Sequence, residues 1–377
     1  MGARSMPAAT GLQNCAAGAP GKVALLREAG AGDVSPAGPS AGDGEGLEVV
    51  EVCGSPLGAA WDAQGDVLAV AWKGRVAAYG WGGGVAADGE VSSRGGLLAE
   101  GGLRFVPQAL ALTALPGGHG GYVLALGGVL GVAFRILERE TSGRGGWVLL
   151  DAVVEERGTG AALPLPAAPS RPPVVCGVAF REGAELMATA SVDGAVGIWG
   201  IEKGAAGRSA GAARGLCRRL LFEGQVPADG LKVTAVQFSP DGLSLAVLSW
   251  SGSVSIFRCQ RASGSWTHGL TLPAADSAVL PHRLPPLLCW ASYDVVAMAA
   301  GGGRAEGVFY FRVCEGWLEP LGDPAQNSRG QLRGLALASP GARAPAGALP
   351  SVVTLDAGGA LAVERLPHSV VREDAAT

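Results

Sequence analysis

A hairpin pattern that returns along the chain limits its possible folds more than any other feature. The stretches 57–81, 175–201 and 233–259 each read as a short strand ending in an aromatic residue, a polar turn, a second strand, a glycine turn and a third strand. Trp61, Phe180 and Phe238 end the first strands, and Gly74, Gly194 and Gly252 stand in the second turns. Glycine at that place supplies positive φ in a tight hairpin at the least steric cost. Around Asp193-Gly194, "MATAS" and "AVGIW" are the strand-forming runs such a turn would join. Weaker copies occupy 109–136, 287–313 and 332–366, which makes six units. Self-similarity of this kind decides architecture ahead of any single motif.

Before most units lie further apolar segments, such as "LEVVEV" (47–52), "WVLLDAVV" (147–154), "LCRRLLFEG" (216–224) and "GWLEPLG" (316–322), long enough for a fourth strand. A lone four-stranded meander exposes an apolar face. Radial stacking buries both faces of each sheet and removes long free edges. The expected fold is all-β: a β-propeller over residues 46–368 with six recognisable blades, or seven if N-terminal or partner strands complete another. An irregular leader (1–45) and a C-terminal tail (369–377) are expected to flank it. The Gly/Ala/Pro-rich connections 82–96, 157–173 and 203–215 lengthen the repeat beyond that of a compact propeller.

The stretch from Val174 to Ile201 resembles a repeat of the WD-repeat β-propeller family, and Val233 to Phe257 resembles its neighbour. In that family a turn Asp, a Ser or Thr on the preceding strand and a strand-ending Trp form a buried hydrogen-bonded set. The resemblance implies those roles for Asp193, for Thr189 or Ser191, and for Trp199. Trp199 is followed by Gly200 in place of Asp, and no Gly-His pair precedes the first strand, so the repeats are degenerate. The order of features also resembles the aladin-like nucleoporins within this family, which implies a component of the nuclear pore complex at the nuclear envelope. An adaptor or substrate receptor in another cytoplasmic or nuclear assembly is the alternative.

Composition narrows the partners. The chain has 377 residues, 48% of them hydrophobic, enough for a large buried core. A net charge of −4 without a strong basic block argues against direct binding of nucleic acid. Seven cysteines, none in a C-x-x-C arrangement, fit neither a disulfide scaffold nor a zinc cage and point to a reducing compartment. The apolar run Gly121 to Phe134 is too short and too glycine-broken for a membrane-spanning helix, and reads as two strands and a turn. The scattered histidines His119, His268, His282 and His368 make no metal-ligand spacing, and no cofactor is expected.

One enzymatic motif stands out. "GRSAG" at 207–211 matches a nucleophile elbow with Ser209 as nucleophile, "HGG" at His119 would be its oxyanion loop, and Asp323 and His368 downstream complete the triad's chain order. The segment before Ser209, "IEKGAA", lacks the buried strand that would pin an elbow, so linker chemistry is the simpler reading. The expected function is a non-catalytic scaffold whose partners are other proteins of a multi-subunit assembly. Trp72 in "AWKG" and Trp250 in "SWSG" immediately precede the glycine turns, at the place of Val192 in the third unit. With Lys73 and Arg75 they are the candidate partner-binding residues, as aromatic anchors beside cations on one rim. The opposing expectation is that both rings cap their blades and pack inward.

Overall fold

The computed structural model describes residues 22–26, 47–51, 57–62, 67–80, 96–115, 120–140, 146–156, 174–181, 185–203, 215–226, 232–273, 287–299, 308–321, 332–338, 351–356 and 361–365. They form twenty-six strands and, among the described residues, no helix. Six sheets correspond to the six sequence units, and in each the strands of the unit pair antiparallel in chain order. Blade 1 comprises Gly58–Trp61, Val67–Trp72, Arg75–Gly80 and Gly96–Gly102, and blade 2 comprises Ala109–Ala114, Tyr122–Gly128, Gly131–Arg139 and Trp147–Asp151. Blade 3 comprises Val175–Phe180, Leu186–Ser191, Ala195–Lys203 and Gly215–Gln225, and blade 4 comprises Val233–Phe238, Ser244–Ser249, Val254–Cys259 and Trp266–Leu272. Blade 5 comprises Leu287–Trp290, Val295–Ala299, Val308–Val313 and Leu318–Pro320. Blade 6 shows three strands among the described residues, Leu332–Ala338, Ser351–Asp356 and Leu361–Arg365.

First strands of successive blades pack against one another, so they line the middle of the ring. A pocket lined by Gly58, Leu110, Cys176, Gly177, Thr234 and Val236, from the first strands of blades 1 to 4, has a volume of about 10 Å³, room for at most one water. Second strands of blades 1 to 5 are buried on both faces. All six residues of Val67–Trp72 are buried, which is why such segments read as continuous apolar runs rather than alternating ones. Leu124 and Leu126 of blade 2 pack with Ala69 and Val76 of blade 1, and Val236 of blade 4 packs with Ala188 and Ile198 of blade 3. Burying one such side chain contributes about 1.5–3 kcal/mol against the entropy of ordering it.

Two segments depart from the expected organisation. Within the leader expected to be irregular, Lys22–Leu26 is a strand, paired antiparallel with Leu47–Glu51 in a sheet of its own. The local run "KVALL" has strand chemistry, but its partner lies over twenty residues away, beyond local inspection. The run at 147–154 serves two blades. Trp147–Asp151 closes blade 2, and Val153–Glu156 crosses to blade 3 and pairs parallel with Gly215 to Arg218. That strap gives blade 3 a fifth strand and covers part of its outer edge.

Antiparallel order fixes the two ends of the ring. Turns joining first to second and third to fourth strands lie at one end. Turns joining second to third strands, together with the connections between blades, lie at the other, here termed the connection rim. Gly74, Gly194 and Gly252 sit on it with φ of 83°, 85° and 92°, the positive values expected for them.

Candidate interaction rim

Blade 3 contains the residues that the family resemblance singled out, arranged as two pairs. The Trp199 indole N–H donates to Thr189 Oγ1 at 3.0 Å, and the Arg218 guanidinium lies 4.7 Å over the Trp199 ring. The Ser191 hydroxyl bonds the Asp193 carboxylate, which also accepts the Ala195 N–H at 3.3 Å. Thr189 and Ser191 are two residues apart on one strand and therefore share a face. Ser191 takes the hydrogen bond nearest the turn, and Thr189 takes the one to the tryptophan. Both arrangements stabilise the blade internally.

The two candidate tryptophans occupy different positions. Trp61, Phe180 and Phe238 pair with Leu68, Met187 and Leu245, which sets the correspondence between the second strands. Counting on from there, Trp72 corresponds to Ser191 and Ser249, and Trp250 corresponds to Val192. The sequence alignment of Trp72 with Trp250 is off by one residue. Blade 1 closes with the two-residue turn Lys73-Gly74 between paired Trp72 and Arg75, whereas blade 4 leaves five residues between paired Leu248 and Val254. A slip of one residue moves a side chain to the opposite face. Trp72 is accordingly 5% exposed and packs with Leu68, Val70 and Ala77, which corrects its reading as an exposed anchor. Its indole N–H has no hydrogen-bond partner among the described residues, and its ring lies 4.4 Å beneath the Arg75 guanidinium. Trp250 is half-buried on the rim.

Lys73 and Arg75 do lie on the connection rim, but with different freedom. Arg75 is 3.4 Å from the Glu100 carboxylate as well as stacked on Trp72. Lys73 is exposed at the tip of the turn. Beside it runs a segment that sequence reasoning missed. The connection from blade 1 to blade 2 starts where the Leu103 N–H donates to Gly74 O at 2.8 Å, and then passes through Arg104, Phe105 and Val106. Phe105 rests on Gly128: a Cβ there would stand 2.7 Å from its ring and 3.2 Å from Val106 O. Gly128 opens the hairpin turn of blade 2, whose tip residues Val129 and Leu130 are 48% and 65% exposed, with Val106 at 44%. The signal was present in the sequence as an apolar "LRFVP" beside a glycine-flanked "GVLG". Nothing local reveals that these two segments meet.

The proposed hydrolase residues Ser209, His119, Asp323 and His368, together with His282, lie outside the described residues. Burial pushes the Cys176 thiol up to about 11 and the Cys289 thiol up to about 12, so both remain protonated at neutral pH. Among the described residues, no group of three or more His, Cys, Asp or Glu side chains is placed to hold a metal ion. No helix among them is long and apolar enough to cross a membrane.

No protein-family model matches the sequence, and no curated protein is significantly similar to it. Solved structures are similar in fold. The Cps50 (Swd1) beta-propeller domain of Myceliophteria thermophila is 12% identical, with a TM-score of 0.51 over 86% of this chain and 88% of that one. The fold is a WD-type β-propeller. A chain of the mitotic checkpoint complex is 16% identical, with a TM-score of 0.50 over 85% of this propeller and 78% of its own length. A putative 6-phosphogluconolactonase from Bacteroides uniformis is 12% identical, with a TM-score of 0.46 over 84% of this propeller and 87% of that chain.

Proposed function

We propose that this propeller is a non-catalytic protein-interaction scaffold that presents its connection rim to other subunits of an assembly. The observation that carries the reading is the contiguous exposed surface from Lys73 through Val106 to Leu130, set on hairpin tips that a packed sheet holds rigid. A structurally similar chain belongs to the mitotic checkpoint complex, itself a multi-protein assembly, which supports the same use of the fold. Trp250, half-buried on blade 4, extends the partner-binding surface beyond the first two blades.

The narrower form of this reading is an aladin-like component of the nuclear pore, at the nuclear envelope. It rests on the order of sequence features, and rim staining of the nucleus by a tagged chain tests it. An adaptor or substrate receptor elsewhere in the cytoplasm or nucleus is the form that diffuse staining would favour. The scaffold reading itself is tested by crosslinking and purification of the tagged full chain from cells. Recovery in a stoichiometric complex is expected. A chain that elutes alone, or one whose Ser209 is labelled by a fluorophosphonate probe and protected by Ser209→Ala, overturns it.

A further inference from the structure

The connection rim changes character where blades 1 and 2 meet. On the blade 1 side, Lys73 and Arg104 are exposed, and neither side chain hydrogen-bonds or pairs with a carboxylate among the described residues. The backbone bond from Leu103 to Gly74 brings their two segments together. The carboxylate of Glu100 does not offset them, because Arg75 holds it at 3.4 Å. On the blade 2 side, Val106, Val129 and Leu130 are all at least 44% exposed, and the seating of Phe105 on Gly128, with Val106 O 3.2 Å from a Cβ built there, brings their two segments together. Two unpaired cations beside a preformed aliphatic step stand in a chain whose net charge is −4.

We propose that this corner takes an extended acidic peptide segment of a partner protein, with its carboxylates at Lys73 and Arg104 and an aliphatic side chain against Val106, Val129 and Leu130. The proposal rests on the scaffold reading above and names the partner's chemistry at that site. Charge complementarity selects the occupant: a basic or neutral segment would leave both cations without partners, whereas a carboxylate gains them at no cost to an existing ion pair. The aliphatic step supplies the dry centre that such a polar rim requires. Arg75 acts indirectly. Stacked on Trp72 and bonded to Glu100, it stiffens the turn that carries Lys73.

The test is selection from a display library of random twelve-residue peptides on the purified full chain, with Leu130→Asp protein as the counter-selection. Peptides combining Asp or Glu with Leu, Ile or Val should be enriched. Synthetic copies, followed by fluorescence anisotropy, should bind at least tenfold more weakly to Leu130→Asp and about tenfold more weakly to Lys73→Glu/Arg104→Glu. Their affinity for the parent should fall as salt is raised. Leu130→Ser serves as a second variant, and thermal melts check that each variant folds; both positions are exposed, so parental melts are expected. Enrichment of basic or uncharged peptides overturns the proposal. So does binding that all variants retain, or displacement of the peptides by a single-stranded oligonucleotide that occupies the same corner. If no peptide is selected while the chain still co-purifies with a protein partner, this proposal fails and the scaffold reading survives. If neither peptide nor partner is retained, both fail.

Discussion

Blades 3 and 4 correspond position for position, yet they fill the same backbone with different chemistry. Both carry a register shift in the first strand, at Val175/Gly177 and at Val233/Ala235, and another in the fourth, where Leu221 and Gly269 are the extra residues opposite Ile198/Trp199 and Ile256/Phe257. Cys176 bonds the Ala190 carbonyl from a sulfur 3.6 Å away, while Thr234 bonds the equivalent Leu248 carbonyl at 3.2 Å. Where blade 3 has the Thr189–Trp199 hydrogen bond, blade 4 has Val247 and a fully buried Phe257. Where blade 3 has Asp193 in the turn, blade 4 has Ser251, whose hydroxyl lies 2.5 Å from that of Ser249. Bulges and turn glycines are what these two blades share. The polar set that marks the repeat is one of two ways to occupy it.

The largest expected effect comes from removing the apolar solution. Phe257 is buried edge-on to Phe222 at 5.7 Å, so Phe257→Ala should destabilise the protein by about 3–5 kcal/mol in chemical denaturation. Trp199→Ala, at a half-buried position, should cost less; equal losses would mean that the two blades are filled alike after all. Next is Gly177→Ala, which gives blade 3 the alanine that blade 4 carries as Ala235. Its new Cβ would stand 2.6 Å from Val236 Cγ2, and the overpacking should cost about 1–3 kcal/mol. An unchanged midpoint would show that the two blades are not held at that spacing.

Alkaline titration separates the blades by a different property. Burial raises the folded Cys176 thiol from 9.0 to about 11, so its contribution is fully present below pH 9 and is lost as pH rises through about 11. Cys176→Thr copies blade 4, whose hydroxyl does not titrate there. It should therefore spare up to about 2 kcal/mol of the stability lost between pH 9 and pH 11. Coincident pH profiles for parent and variant would break the inference. The smallest effect is a coupling. Val247→Thr alone should destabilise by burying a hydroxyl without its tryptophan partner, and adding Phe257→Trp should recover about 1 kcal/mol in a double-mutant cycle. Strict additivity would show that the blade 3 bond cannot be transplanted.

The candidate site was partly legible and partly misread. Lys73 and Arg75, which follow Trp72 on either side of the turn glycine Gly74, both lie on the rim. Trp72 was misread because "AWKG" and "SWSG" look alike, although blade 1 spans its turn with fewer residues. Val106, Val129 and Leu130 were passed over because each segment alone reads as an ordinary loop or strand end.

By itself the sequence determined the repeat, the blade count along the described units, and the glycines that take positive φ. These depend on backbone preferences and on apolar patterning within a few residues of each other. The family resemblance narrowed the partner of Trp199 to Thr189 or Ser191, which lie in the same hairpin, and the structure assigns it to Thr189. Tertiary structure alone decided that Trp72 is core, that Lys22–Leu26 finds a partner strand, and that Phe105 seats on Gly128. Each outcome depends on strand register or on a contact between distant segments. Register reverses the face of a side chain with a single residue, and no local property of the chain encodes which of two faces will be covered.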